Sequence, residues 1–197
     1  QSVKILQDIE GLNISMQTLD GILAHNGEIL KNKYEHNIEK SREEFERDLY
    51  CAFHEKNYSK KIIPITIEGS VVRLSDVIGY IGRDIEDAIT LGIVDRNEIP
   101  EFPRKILGDN NRQIVDTLIK DVIVNSFDKP YLSFSKEVFE ALMELQNWNF
   151  EKIYNSEKAN ANYDKIEKCF TRLYYFYLEK LSEVNPKEEI TKNTITA

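Results

Sequence analysis

Three side chains able to bind a metal ion or a sugar recur at every fourth position in one segment of the sequence. The segment Arg73–Ile93 reads RLSDVIGYIGRDIEDAITLGI. It places Asp76, Tyr80 and Asp84 four residues apart, and on an α-helix such residues drift by only about 40° per step and line one face. The two carboxylates would stand about 12 Å apart along the axis, too far to share one metal ion or one proton. That separation suits a metal ion at one end and a sugar-sized ligand at the other.

The same pattern has a simpler interpretation. Exposed Asp and Glu are common, and a tyrosine can lie along a surface with its hydroxyl in water. The spacing alone therefore favours a solvated acidic helix face, and the binding interpretation needs further support.

The histidines and cysteines add no recognisable chemistry. His25, His36 and His54 form no HExxH motif and none is followed by Asp, so we expect surface or locally hydrogen-bonded roles. Cys51 and Cys169 form neither a CxxC zinc pair nor a disulfide framework. This cysteine usage predicts a reduced, cytoplasmic setting.

Composition limits the possible functions. The 197 residues fit one domain, or one domain with an appendage, and carry a net charge of −8. An acidic chain without a basic stripe is a poor nucleic-acid binder. Because no run of eighteen apolar residues occurs, the sequence predicts no membrane span.

The elements that would position these residues are helices. Only 8 Gly and 5 Pro occur, and the prolines fall between segments with helical periodicity. The sequence predicts an all-α fold with at most a minor extended segment near 62–68 (IIPITIE), where Pro64 limits strand pairing. The predicted helices are Ser15–Leu30, His36–Phe53, Val71–Leu91, Asn111–Ser126, Ser135–Tyr154 and Tyr163–Val184. For the third of these, Ser70 is the predicted N-cap and Gly92 the predicted stop, and Pro100 and Pro103 predict a loop after it.

Four segments, in this order, resemble the later half of the dGTP triphosphohydrolase family, which are HD-superfamily dNTP triphosphohydrolases. They read GLNISMQTLDGILAH, RLSDVIGYIGRDIEDAI, PRKILG and RQIVDTLIKDVIVNS, at Gly11–His25, Arg73–Ile89, Pro103–Gly108 and Arg112–Ser126. The second segment is the most specific. The resemblance covers most of residues 1–127.

The resemblance implies a role for each residue of the four-residue pattern. It makes Asp76 a ligand of a divalent metal, Mg²⁺ or Mn²⁺, in the complete enzyme. It places Tyr80 against the deoxyribose of a dNTP, with dGTP as the expected substrate, and Asp84 on the sugar 3′-hydroxyl. Arg83 stands where many bacterial members have His, which leaves that position open.

The two arginines Arg104 and Arg112 suit phosphate geometry. Neither matches a motif residue, however, and exposed arginines are usually surface or interface residues.

The sequence also departs from the family. The family's first His, its His-Asp pair and the HxxxGH-type segment that follows are absent, and no His-Asp dipeptide occurs. We therefore expect 1–127 to be the C-terminal half of the HD-type catalytic domain, 128–185 a helical subdomain and 186–197 a polar tail. A missing N-terminal part would supply the other metal ligands, so this chain alone is expected to bind no catalytic metal and to be inactive. Family members are commonly oligomeric, so the resemblance also implies a homo-oligomer.

A second hypothesis is a helical interaction or regulatory module without catalysis. The segments Phe139–Phe150 (FEALMELQNWNF) and Leu173–Leu181 (LYYFYLEKL) are rich in aromatic and apolar residues. Such stripes are usually core and otherwise interface.

Overall fold

The structure, a computed structural model, describes residues 2–25, 30–161 and 163–184 and confirms the all-α fold. The helices are α1 (Ser2–Lys4, continued by a π-turn at Ile5–Ile9), α2 (Met16–His25), α3 (Arg42–His54), α4 (Ile67–Thr90), α5 (Glu101–Leu107), α6 (Asn111–Ser126), α7 (Lys136–Asn149, continued by a π-turn at Phe150–Tyr154), α8 (Glu157–Asn160) and α9 (Tyr163–Val184). Short 3₁₀ turns lie at Tyr58–Lys61 and Arg96–Glu98. None of these described helices is long and apolar enough to cross a membrane.

The chain forms two compact units, Gln1–Ile153 and Tyr154–Ala197. The predicted domain boundary near residue 127 concerns the catalytic domain of a longer enzyme and stays a prediction. The predicted polar tail, 186–197, lies outside the described residues.

Helix α4 forms the centre of the first unit. Its buried stripe includes Val77, Ile81 and Ile85, which are at most 2% exposed. These residues share one core with Leu118 of α6 and Leu142 of α7, both fully buried. The periodic apolar positions of the sequence therefore fix the side of α4 that faces inward.

Helix α4 begins earlier than predicted. Thr66 is the N-cap, and its hydroxyl accepts a hydrogen bond from the Gly69 backbone N–H at 3.2 Å. The predicted N-cap, Ser70, instead lies inside the first helical turn, where its buried hydroxyl donates to the Glu35 carbonyl at 2.9 Å. The predicted stop is close, since the helix ends at Thr90 and Gly92 has a φ of +65°.

The segment near 62–68 forms no strand. Its last two residues, Ile67 and Glu68, are helical, and the preceding residues are an irregular connection. The Arg73 guanidinium donates to the Ile62 carbonyl at 2.7 Å, and the Lys40 ammonium donates to the Ile63 carbonyl at 3.1 Å. Side-chain donors thus satisfy backbone carbonyls that strand pairing would otherwise satisfy.

A two-stranded antiparallel sheet forms elsewhere in the described residues. β1 (Lys33–Tyr34) pairs with β2 (Leu132–Ser133), with Lys33 opposite Ser133. This short ladder ties the connection before α3 to the connection before α7.

Two other helices differ from the prediction. Helix α3 begins at Arg42 rather than His36, because Ser41 and Glu44 form a capping box there. Helix α5 occupies the predicted loop, since Pro103 lies in its first turn, where a missing N–H costs no helical hydrogen bond.

The second unit consists of α8 and α9 in its described part. The two aromatic segments were expected to be buried in the core. In α7 they are, since Leu142, Leu145 and Trp148 are buried. In α9 the expectation is wrong, because the residues from Leu173 to Tyr177 are all exposed.

Candidate functional site

One uninterrupted helix carries all three predicted site residues. Asp76, Tyr80 and Asp84 lie on successive turns of α4, and none lies at its ends. Asp76 is exposed, while Tyr80 and Asp84 are half-buried. Because four-residue spacing drifts slowly around the helix, the face turns from solvent at Asp76 towards the edge of the core at Asp84. Their roles as ligands stay predictions.

Two close helix crossings hold α4 in place. At its start, a Cβ on Gly69 would lie 3.5 Å from Gly21 Cα of α2 and 2.7 Å from Pro64 Cβ. In its second half, a Cβ on Gly82 would lie 2.6 Å from Asn111 Oδ1 and 3.1 Å from Asn111 Cα. Glycine at these two positions therefore allows α2 and the start of α6 to approach α4 closely.

Charged groups brace the C-terminal half of α4. The Arg96 guanidinium donates to both carboxylate oxygens of Glu86, at 3.1 and 2.6 Å, and to the Asp109 carbonyl. The Asn111 backbone N–H donates to Glu86 at 3.2 Å. The hydrogen bond from Arg96 is the main reason that the pKa of the Glu86 carboxyl lies below its usual value.

The three arginines considered from the sequence, Arg83, Arg104 and Arg112, lie apart from the face of Asp76, Tyr80 and Asp84 or on its solvent side. Arg83 is exposed and pairs with Asp87 one turn further on, at 3.5 Å. Arg104 lines a cavity of about 660 Å³ with Lys105 and Thr117, and Asp76, Tyr80 and Asp84 do not line that cavity. Arg112 is exposed in the first turn of α6.

The histidines engage backbone groups or lie half-buried. The Nδ1 atom of His25 lies 2.6 Å from the Ile22 carbonyl, and that of His54 lies 2.7 Å from the Tyr50 carbonyl. His36 is half-buried. Within the described ranges, no three His, Cys, Asp or Glu side chains come together as a metal site.

Two residues beside the site face were not identified from sequence. Gln146 and Asn149, both of α7, contact α4 at Tyr80 and Ile81. Asn149 is 1% exposed. An amide inside an otherwise apolar helix stripe is the signal that could have identified it, because a buried polar side chain needs a reason.

A buried charge cluster was also missed. Lys40 lies 2.6 Å from the carboxylate of Asp20 and 2.8 Å from that of Asp48. The Ile65 backbone N–H donates to Asp20 at 2.7 Å, and the Tyr58 hydroxyl donates to Asp48 at 2.8 Å. These partners are distant in sequence, so no local pattern indicates them.

Comparison with known proteins confirms the resemblance found in the sequence. A protein of Caldanaerobacter subterraneus subsp. tengcongensis named deoxyguanosinetriphosphate triphosphohydrolase-like protein is 35% identical over 192 residues, which are 95% of this chain and 47% of that protein. Proteins of the same name from Clostridium perfringens (strain 13 / Type A) and Clostridium tetani are 30% and 29% identical, over 93% and 98% of this chain and 48% and 50% of their own lengths.

The chain is therefore an all-α protein that is similar in sequence to dGTPase-like proteins. More narrowly, it is related over nearly its whole length to the deoxyguanosinetriphosphate triphosphohydrolase-like proteins. The chain spans about half the length of the curated relatives it matches, which is consistent with a C-terminal part of such a protein. No protein-family model matches the chain, and no solved structure matches it significantly.

Proposed function

We propose that the protein containing this chain is a dNTP triphosphohydrolase, and that dGTP is its substrate. Water would attack the α-phosphorus, the bond to the 5′-oxygen would break, and deoxynucleoside and triphosphate would leave. The observation that carries the proposal is the D-x-x-x-Y-x-x-x-D face on one unbroken helix, in a chain whose relatives are named deoxyguanosinetriphosphate triphosphohydrolase-like proteins.

Asp76 is the proposed metal ligand. A carboxylate oxygen is the donor that Mg²⁺ and Mn²⁺ take, and Asp76 is exposed on its helix. One carboxylate is not a divalent site, so the other ligands would come from another part of the whole protein. When bound, the metal would supply Lewis acidity at the phosphate and activation of a water.

Tyr80 and Asp84 are the proposed sugar contacts. A phenol one turn from the metal ligand would pack against the deoxyribose, and a carboxylate two turns away would accept a hydrogen bond from the 3′-hydroxyl. Since the ring and the carboxylate would enclose the sugar, a ribose 2′-hydroxyl would have no room, and deoxynucleotides would be selected.

The test uses the complete protein with dGTP and Mg²⁺ or Mn²⁺, measuring deoxyguanosine and triphosphate by anion-exchange chromatography. Asp76→Ala should abolish metal-dependent turnover. Asp84→Ala should raise KM and lower kcat/KM by about ten- to a hundredfold, the loss expected for one hydrogen bond to a charged group.

A matched control is Asp87→Ala, an exposed carboxylate of the same helix outside the four-residue pattern. It should leave both constants unchanged. Normal activity in Asp76→Ala would show that the metal-ligand assignment is wrong, and no turnover of dGTP by the unaltered protein would overturn the proposed function. The homo-oligomeric state implied by the resemblance and the cytoplasmic location predicted from the cysteine usage remain part of this proposal.

A further inference from the structure

Helix α7 presents two amide side chains to the middle of α4. The Gln146 Nε2 atom donates to the Tyr80 hydroxyl oxygen at 3.5 Å, and the Asn149 Nδ2 atom donates to the Ile81 carbonyl at 3.0 Å. The two amides are three residues apart and therefore lie on one face of α7. They contact adjacent residues of α4, one of which is the tyrosine of the site face.

Asn149 occupies a position where an apolar residue would be expected. It is 1% exposed, and its neighbours Leu145 and Trp148 belong to the core. Burial of an amide is unfavourable unless its polar atoms are bonded, and the Asn149 Oδ1 atom has no hydrogen-bond partner among the described residues. A half-satisfied buried amide is a poor way to stabilise a core, which points to a positional role instead.

The hydrogen bond from Asn149 fixes the position of α4 and is not needed to keep α4 helical. A carbonyl in the middle of a helix already accepts an intrahelical hydrogen bond and has a second lone pair to offer. A second donor from α7 at Ile81 therefore sets the rotation and axial position of α4 relative to α7. Gln146, one turn earlier on α7, then reaches the hydroxyl of the adjacent residue, Tyr80.

We propose that Gln146 and Asn149 are positioning residues that together hold the Tyr80 phenol in place for the deoxyribose. The inference rests on the proposed function for its catalytic consequence, while the contact itself belongs to the described structure. Asn149 sets where α4 presents Tyr80, and Gln146 sets the direction of its ring and hydroxyl. Loss of either should loosen the sugar contact without touching the metal ligand.

The first test reads the tyrosine directly and needs no activity. The complete protein is labelled with ¹³C at the tyrosine ζ-carbon, and the Tyr80 resonance is assigned from its loss in Tyr80→Phe. Gln146→Leu and Asn149→Leu should each shift that resonance. Asn147→Leu, an exposed neighbour on α7, should leave it in place. An unchanged Tyr80 resonance in both amide variants would overturn the proposal.

The second test is a double-mutant cycle in the complete protein. Gln146→Leu should raise KM for dGTP about two- to tenfold, the effect of one hydrogen bond, and lower the preference for dGTP over GTP. In a Tyr80→Phe background the same change should have no further effect, whereas a merely structural role would lower activity equally in both backgrounds. Gln146→Glu, which can still pair with the phenol, should recover part of the loss.

The outcomes separate the two proposals. A shifted Tyr80 resonance in a complete protein that does not hydrolyse dGTP would refute the proposed function and leave the α7–Tyr80 contact established. The other outcome is normal dGTP turnover by the unaltered protein, with Gln146→Leu lowering activity equally in the unaltered and the Tyr80→Phe backgrounds. It would refute the positioning role and leave the proposed function intact.

Discussion

At the scale of single residues, Lys40 is the clearest case of a side chain whose surroundings decide its contribution to stability. Its ammonium lies between the carboxylates of Asp20 and Asp48, and its side chain is 5% exposed. Two buried negative charges thus share one positive charge. Backbone and phenol donors satisfy the remaining carboxylate oxygens, from Ile65 and Tyr58 respectively. Donation to Asp48 is the largest of the influences that raise the pKa of the Tyr58 phenol.

Removal of Lys40 should be severely destabilising. Lys40→Met keeps the apolar stem but leaves two buried carboxylates without a counter-charge, which should lower the free energy of unfolding by about 3–5 kcal/mol. Urea denaturation followed by circular dichroism measures the change. Lys120→Met is the matched control, because Lys120 forms an exposed pair with Asp116 at 2.7 Å and its loss should leave the midpoint almost unchanged. Equal midpoints for the two variants would contradict the account.

The residue scale also shows what spacing can and cannot predict. Asp76, Tyr80 and Asp84 lie within nine consecutive residues, so helical geometry alone predicts their common face. Lys40 meets Asp20 across a distance of twenty residues, and Gln146 meets Tyr80 across sixty-six. Such contacts depend on how helices pack, which no local pattern encodes.

At the scale of elements, the existence of helices was more predictable than their ends. The apolar period of α4 predicts its buried face, yet its start at Ile67 was missed because the β-branched alternation before it is typical of a strand. No strand forms there, and Arg73 and Lys40 donate hydrogen bonds to the Ile62 and Ile63 carbonyls of that segment. Helix α5 differs from the predicted loop because a proline in its first turn is tolerated, although prolines usually end a helix.

Two glycines of α4 provide a matched test of its packing. Gly82→Ala should lower the free energy of unfolding by about 1–3 kcal/mol, because its Cβ would lie 3.1 Å from the Asn111 backbone and force α6 to shift. Gly79→Ala should raise stability by about 0.5–1 kcal/mol, because no atom lies within 4 Å of the new Cβ and alanine favours the helix. Thermal unfolding of both variants measures the two effects. No loss of stability in Gly82→Ala would show that α6 does not approach α4 as closely as described.

At the scale of the whole molecule, several apolar faces remain uncovered within the units. In the first unit, Ile123 of α6 and Phe127, the residue after α6, are 61% and 75% exposed. In the second unit, Phe170 of α9 is 70% exposed. Whether an apolar helix stripe is core or interface depends on what packs against it. The sequence could therefore predict the all-α class and the inner face of α4, but not the burial of these outer stripes.

Catalysis by the chain alone is also a question about the whole molecule. A divalent ion held for phosphate chemistry needs several converging ligands, and the resemblance supplies only Asp76 from this chain. We therefore expect the purified chain, incubated with dGTP and Mn²⁺ or Mg²⁺, to release no triphosphate above a protein-free control. Circular dichroism should show that the same sample is helical, so that a lack of turnover is not caused by unfolding.

The informative comparison is with Asp76→Ala in the same preparation. Turnover by the unaltered chain that disappears in Asp76→Ala would show that this chain completes a metal site by itself, and would refute the expectation that ligands from another part of the protein are needed. Turnover that persists in Asp76→Ala would come from a contaminant or from a different site, and activity that follows the protein through a second purification step would identify the latter. Either form of activity intrinsic to the chain would require a ligand set other than the one that the resemblance implies.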